Sequence, residues 1–302
     1  MTHNLIDMFL IVTFALISIA LTGVTYYFSG MYLNWYWFWT VPLLLYAYFL
    51  TSFATWLIFL FIAGLFVKSD PDYVYKPSRF AQWVVRTTCR VVLLLLHVRT
   101  HMTGLGKIPT KGPVMLINNH LSVFDEIAIA AFFPRNLVFI TKPGNFDIPI
   151  GGPWMRYAGY LPIKQGDIAN GTEVIHNATT YIKEKNISIC VAPEGTRNKT
   201  FPEPILLPFH AGTFRLAQDS SAPIVVMAIQ NTNCVLHRFP RHFTHVYLDV
   251  VGVIEKEEYQ SLSSREIADR CRDLILRRFE HKDARFYHLK PKTKSEEDAP
   301  KA

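Results

Sequence analysis

From residue 5 to residue 67 the chain is almost unbroken apolar sequence, with Asp7 as its one charged side chain. A polar break at 29–34 divides the run into segments 5–28 and 36–66. Each exceeds the roughly 20 residues that a helix needs to cross a bilayer core, so the pattern predicts two N-terminal hydrophobic membrane helices within 1–67. Two spans and a hairpin dipping into one leaflet both satisfy the hydropathy. A cleaved signal peptide fits badly, because no basic region precedes the run and a second run follows at once. Tyr26, Tyr27, Trp35, Tyr36, Trp37 and Trp39 cluster at the segment ends, as an interfacial aromatic belt does.

Beyond residue 98 the periodicity changes. Short apolar runs at 114–117, 137–141, 161–163, 187–192, 224–229 and 246–253 read as strands, and stretches with helical spacing lie between them. Segment 173–185 places Val174, Ile175, Ala178, Tyr181 and Ile182 on one helical face, and Ser263 with Glu266 forms a capping box for a final helix. The predicted fold is α/β over 99–288: a mixed, mostly buried sheet with flanking helices. A charged, mobile tail is expected over 289–302.

Residues 68–98 form a juxtamembrane basic segment. On a helix, Arg79, Arg86, Arg90 and His97 fall along one stripe at spacings of seven, four and seven. Two readings are open: an amphipathic helix lying on the membrane, or a domain helix with a charged edge. No lysine or arginine precedes Lys68, whereas basic residues follow closely. The positive-inside bias then predicts an integral membrane protein with its large C-terminal part on the cytosolic face. The net charge of +7 suits anionic lipid headgroups and anionic acyl donors, and nothing else points to nucleic acid. Cys89, Cys190, Cys234 and Cys271 are too scattered for a zinc or redox motif, and Cys190 reads as a small buried residue.

The candidate chemistry lies in two short motifs. Asn119-His120, with Asp125 five residues past the histidine, falls between a predicted strand and the predicted helix 125–133. One turn would then hold an imidazole beside a carboxylate, which fixes the tautomer and makes a general base. Ser122 and Asp125 also read as an ordinary helix cap. The second motif, Glu194-Gly195-Thr196-Arg197, follows the strand predicted at 187–192, where ligand sites of open α/β sheets lie. Its glycine, hydroxyl and guanidinium suit an anion or a glycerol headgroup, although a polar turn has the same composition.

In this order the motifs resemble the signature blocks of glycerolipid acyltransferases of the lysophosphatidic acid acyltransferase type. The four blocks would be 119–125, 142–164, 193–197 and 222–229, within a resemblance covering roughly 75–255. The resemblance implies that His120 is the general base and that Asp125 orients it. It further implies that Glu194, Gly195, Thr196 and Arg197 engage the acceptor near its phosphate, with Lys142 and Lys164 assisting. The expected reaction carries a fatty acyl group from an acyl-CoA or acyl carrier protein thioester to a lysophospholipid hydroxyl at the bilayer. The first acceptor is 1-acylglycerol 3-phosphate, and no metal or bound cofactor is needed. Two departures stand out: Gln165 follows Lys164 where the family has arginine, and His210 stands where lysine is common. They motivate a lysolipid with another headgroup as the alternative acceptor. A non-catalytic lipid-binding membrane protein is the competing non-enzyme reading.

Overall fold

The computed structural model describes residues 16–17, 19–29, 37–66 and 77–280. The chain divides into two compact units, one of Met1–Tyr73 with Asp147–Trp154 and the other of Val74–Phe146 with Met155–Ala302.

In the first unit, the second predicted membrane segment is one helix, α2 (Trp37–Leu65). Its stretch Trp39–Leu65 is 27 residues long, apolar enough to cross a membrane, and only 11% buried. A soluble core helix would be buried; this one presents its apolar side chains outward. Thr51 and Thr55 donate their hydroxyls to the carbonyls of Ala47 and Thr51, so neither polar group is left unpaired along the helix. The first predicted segment is seen only as the short apolar helix α1 (Ile19–Phe28), and its residues 5–15 lie outside the described residues. Among the described residues, one helix is long and apolar enough to cross a membrane. Residues Asp147–Trp154 join this unit, with the Trp154 indole N–H donating to the Leu60 carbonyl at 2.9 Å. The sequence reading had run the catalytic domain straight through them.

The second unit is a seven-stranded sheet in the order β1-β7-β6-β2-β5-β3-β4. These strands are β1 (Val98–Thr103), β2 (Met115–Asn118), β3 (Leu137–Thr141), β4 (Leu161–Pro162), β5 (Ser188–Val191), β6 (Ile224–Gln230) and β7 (Thr244–Ile254). Strands β2 to β6 run parallel, while β7 pairs antiparallel with β6 and parallel with β1. The mixed, mostly buried sheet is thus present, and β2, β3, β5 and β6 are buried at every residue. A strand covered on both faces can carry a continuous Val/Ile/Leu run, which is why these four were visible in the sequence. Strand β1 was not anticipated. It is an edge strand with alternating burial, and its outward positions hold Arg99, His101 and Thr103.

One face of the sheet packs on α6 (Ile168–Lys185), α7 (Arg215–Ser220) and α10 (Ser264–Glu280), whose Val174, Ala178, Leu216, Ile267 and Cys271 share a core with Met115, Ile117, Ile189 and Val226. Asp167 caps α6 by accepting from the Asn170 N–H, and Asn186 ends it in the left-handed conformation. The capping box expected at α10 forms: Ser263 and Glu266 exchange hydrogen bonds of 2.7 and 3.3 Å. Helix α3 (Arg79–Leu95) packs against α4 (Phe124–Phe132) and β1. Of the arginine stripe, Arg79 is exposed while Arg86 and Arg90 turn toward the domain, which favours the domain-helix reading for that part of α3. Arg86 donates to the Arg135 carbonyl at 2.7 Å and Arg90 to the Ala131 carbonyl at 2.8 Å. Arg90 therefore serves the carboxyl end of α4, where a helix leaves carbonyls without intrahelical partners and favours positive charge, and Arg86 serves the loop that follows it.

Candidate active site

Strands β2, β5 and β6 end on the same edge of the sheet, and β2 runs into Asn119 and His120. Asn119 keeps the sheet paired past the strand. Its carboxamide donates to the Ile229 carbonyl at 3.0 Å and accepts the Ile229 N–H at 2.7 Å, mimicking a backbone peptide. The next residue, His120, is clamped through its main chain. Its N–H donates to Glu194 Oε1 at 2.8 Å, and its carbonyl accepts the Asn198 N–H at 2.8 Å. The backbone around the imidazole is thus held by the Glu194–Arg197 turn and the residue after it, some seventy positions away in sequence.

The imidazole itself meets Asp125, with Nδ1 at 2.8 Å from Oδ2. A carboxylate accepts, so Nδ1 carries the proton and the Nε2 lone pair is left open on a side chain 17% exposed. Asp125 is fully buried. Its Oδ2 also accepts the N–H groups of Leu121 and Ser122, at 2.6 and 2.9 Å, and its Oδ1 accepts the Thr232 hydroxyl. The Ser122 hydroxyl accepts the Phe124 N–H at 3.0 Å. The N-cap position of α4 falls on Val123, which has no side-chain cap, so Ser122 and Asp125 instead serve backbone N–H groups of the turn while Asp125, in the first turn of α4, reaches back to the imidazole.

Burial alone would lower the His120 pKa, but the hydrogen bond and charge of Asp125, with Glu126 and Glu194 behind it, outweigh burial and raise it above the ordinary 6.5. Glu126 lies beside this pair, half-buried, with the Thr141 hydroxyl 3.4 Å from each carboxyl oxygen. Burial lifts its carboxyl to about 7 against the opposing pull of the nearby His120 and Arg197 charges. The sequence reading passed over Glu126 and Thr232. For Glu126 a signal existed, an acidic residue directly after Asp125; for Thr232 none did, since its contact with Asp125 spans 107 positions.

Glu194 is placed beneath the site rather than in its opening. It is 2% exposed, and Oε2 accepts the Leu207 N–H at 2.9 Å while Oε1 serves His120. Burial raises its carboxyl to about 7, with the two backbone hydrogen bonds pulling the other way. Through these bonds Glu194 holds the main chain of His120 in place. Gly195 adopts φ +65°, and a Cβ there would come within 2.9 Å of the His210 ring, so the position excludes other residues on two counts. The Gln165 carboxamide donates to the Gly195 carbonyl. Both departures from the family pattern thus converge on this one glycine. Thr196 is exposed and Arg197 half-exposed at the same edge. Lys142 directly follows β3, Lys164 lies two residues past β4, and both are exposed. Cys190 is buried and donates to Asn118 Oδ1 at 3.4 Å, as a small core residue.

An anchored imidazole with one open nitrogen, at the carboxyl edge of a buried α/β sheet, defines an acid–base site suited to activating a hydroxyl. Residues 99–230 match the family model described as Acyltransferase. That segment is similar to members of the family that act as 1-acyl-sn-glycerol-3-phosphate acyltransferases. The chain is 28% identical over 160 residues to the 1-acyl-sn-glycerol-3-phosphate acyltransferase of Saccharomyces cerevisiae, covering 53% of this chain and 52% of that one. It is 25% identical over 182 residues to a putative 1-acyl-sn-glycerol-3-phosphate acyltransferase of Caenorhabditis elegans, covering 59% of this chain and 64% of that protein. The chain thus spans between about half and two thirds of the length of these curated relatives. The crystal structure of PlsC, the 1-acyl-sn-glycerophosphate acyltransferase of Thermotoga maritima, shares the fold, with a TM-score of 0.56 and 19% identity, over 76% of this chain and 89% of that one.

Proposed function

We propose that this chain is a membrane-anchored O-acyltransferase that moves a fatty acyl group from a thioester carrier, acyl-CoA or acyl carrier protein, to the free hydroxyl of a lysophospholipid. The acceptor is 1-acylglycerol 3-phosphate and the product phosphatidic acid. The observation that carries this reading is the His120–Asp125 pair, whose Nε2 stays open while Nδ1 is tied down at 2.8 Å. In the proposed reaction the acceptor oxygen attacks the thioester carbonyl carbon as its proton passes to Nε2. The tetrahedral adduct then collapses, the C–S bond breaks, and the leaving thiolate takes the proton back from the imidazolium. Asp125 holds the ring and stabilises its cationic form throughout. Lys142, Lys164, Thr196 and Arg197 line the edge where the headgroup would bind, and Glu194 and Gly195 shape that edge. The thioester already carries the activation, so the reaction calls on no cofactor. The membrane helix and the basic residues that follow it support a catalytic unit on the cytosolic face.

A panel of lysolipids offered to the purified full chain with one acyl thioester tests the acceptor. Preference for the phosphate monoester is expected, and equal use of neutral or diester headgroups would overturn it. A second acceptor reading has its own observation: Gln165 and His210, in place of two family cations, crowd Gly195 and leave fewer fixed charges for a dianionic phosphate. The same panel reads it out directly.

The pH dependence follows from the site. The base must be neutral, so kcat/KM should rise as pH climbs through the His120 pKa, with a midpoint above 6.5. Stability runs the other way. The raised His120 pKa contributes stability that is complete below 6.5 and is lost as pH rises through the folded value. Glu126 and Glu194, raised to about 7 from 4.5, favour the fold most below 4.5 and lose that contribution between 4.5 and about 7. Initial rates and chemical denaturation, both measured across pH, should therefore show activity increasing where stability declines.

A further inference from the structure

The carboxyl edge of the sheet that carries His120 continues into a second surface. Strand β6 ends there, α8 (Val235–Arg238) follows, and β7 and β1 begin in register at Thr244 and Val98. Five large apolar side chains stand exposed on this surface: Leu94 and Leu95 at the end of α3, at 62% and 42%, and Leu236, Phe239 and Phe243, at 61%, 39% and 48%.

The end of α3 and the segment around α8 meet at His97, three residues past Leu94. The His97 ring packs on Phe239 and Phe243, with ring centres 5.6 and 5.2 Å apart, and the Thr244 N–H donates to the His97 carbonyl at 3.0 Å. The Arg99 guanidinium lies 4.3 Å from the Phe243 ring centre, and Arg238 donates to the Phe243 carbonyl. The charge on this face has a single sign. Segments 79–102 and 231–248 hold no aspartate or glutamate, while Arg99, Arg238 and Arg241 are interleaved with the apolar side chains, together with the five histidines at 97, 101, 237, 242 and 245.

We infer that this face is the surface on which the catalytic unit rests against anionic lipid headgroups, with Leu94, Leu95, Leu236, Phe239 and Phe243 entering the headgroup layer and Arg99, Arg238 and Arg241 meeting the phosphates. The inference deepens the membrane-bound reading above and rests on it. Charge complementarity selects the occupant. Apolar side chains interleaved with arginines and with no carboxylate among them suit the layered polarity of an anionic bilayer surface. The consequence for function is geometric. His120 opens on the same edge, so a lysolipid hydroxyl would reach Nε2 without leaving the headgroup layer.

The full chain, reconstituted in vesicles of zwitterionic lipid with or without anionic lipid, tests this. A polarity-sensitive fluorophore on Leu236→Cys or Phe243→Cys should be quenched by lipids spin-labelled near the headgroup. Accessibility to an aqueous quencher instead, or shielding from both quenchers as under a protein partner or second copy, would overturn the inference. In parallel, the double variant Arg99→Glu/Arg241→Glu should raise the apparent KM for a vesicle-borne acceptor by roughly tenfold in anionic vesicles. Its kcat on a water-soluble short-chain acceptor should stay unchanged. An unchanged KM in both vesicle types would overturn the docking face alone. Loss of activity on the short-chain acceptor by the unmodified chain would instead strike at the acyltransferase reading, so the two failures are distinguishable.

Discussion

Replacing His120 with alanine is expected to lower kcat by about 10²–10⁴-fold while the protein stays folded. The reason lies in how the residue is held. Its main chain is clamped by Glu194 and Asn198, and these bonds do not depend on the imidazole. When the ring is lost, Asp125 keeps three other donors, from Leu121, Ser122 and Thr232, so no buried charge is orphaned. The variant should melt near the wild-type temperature, and steady-state rates with an acyl thioester should show the loss in kcat rather than in KM. Undiminished turnover by a well-folded His120→Ala protein would sink the general-base assignment and revive the reading of a lipid-binding protein without chemistry.

Replacing Asp125 with alanine should be worse, because it removes activity and stability together. Four donors then lose their acceptor inside a site where the residue is 0% exposed. Each buried group left unpaired costs on the order of 1–3 kcal/mol, against a whole-domain stability of about 5–15 kcal/mol. The alanine variant should unfold at distinctly lower denaturant. Asp125→Asn separates the two effects. It keeps the side-chain shape and one oxygen acceptor but loses the charge that holds Nδ1–H and supports the imidazolium. A smaller stability loss is expected, with a fall in kcat approaching that of His120→Ala and a pH–rate midpoint shifted downward. An Asp125→Asn protein with wild-type kcat and midpoint would reduce Asp125 to a support of the turn's backbone.

Much of the architecture was legible because burial leaves a local trace. Strands β2, β3, β5 and β6 are apolar at nearly every position, α6 repeats its apolar residues at helical spacing, and α10 opens on a capping box. Strand β1 left no such trace, since an edge strand needs only alternate burial and its partner β7 lies 146 residues away. The arginines of α3 left two readings open for a related reason. Their spacing is the same whether they meet phosphates or the carbonyls of α4 and the loop after it, and only the packing of α3 on α4 shows Arg86 and Arg90 meeting the latter.

The candidate site divides along the same line. The chain of residues 119–125 is short enough that a strand followed by a helix must bring the imidazole and the carboxylate into one turn, so their meeting could be read directly. Sequence also dictated the long apolar N-terminal run and the acid-free basic stretches, because composition acts wherever the chain goes. The tertiary structure decided the rest. Glu194 supports His120 from below, Thr232 completes the acceptor set of Asp125, Gln165 and His210 meet at Gly195, and Asp147–Trp154 leave the domain that surrounds them in sequence. Each of these rests on a contact between segments brought together by sheet order rather than by spacing. A one-dimensional pattern records which residues prefer to be buried, but not which distant partner the parallel strand order places beside them.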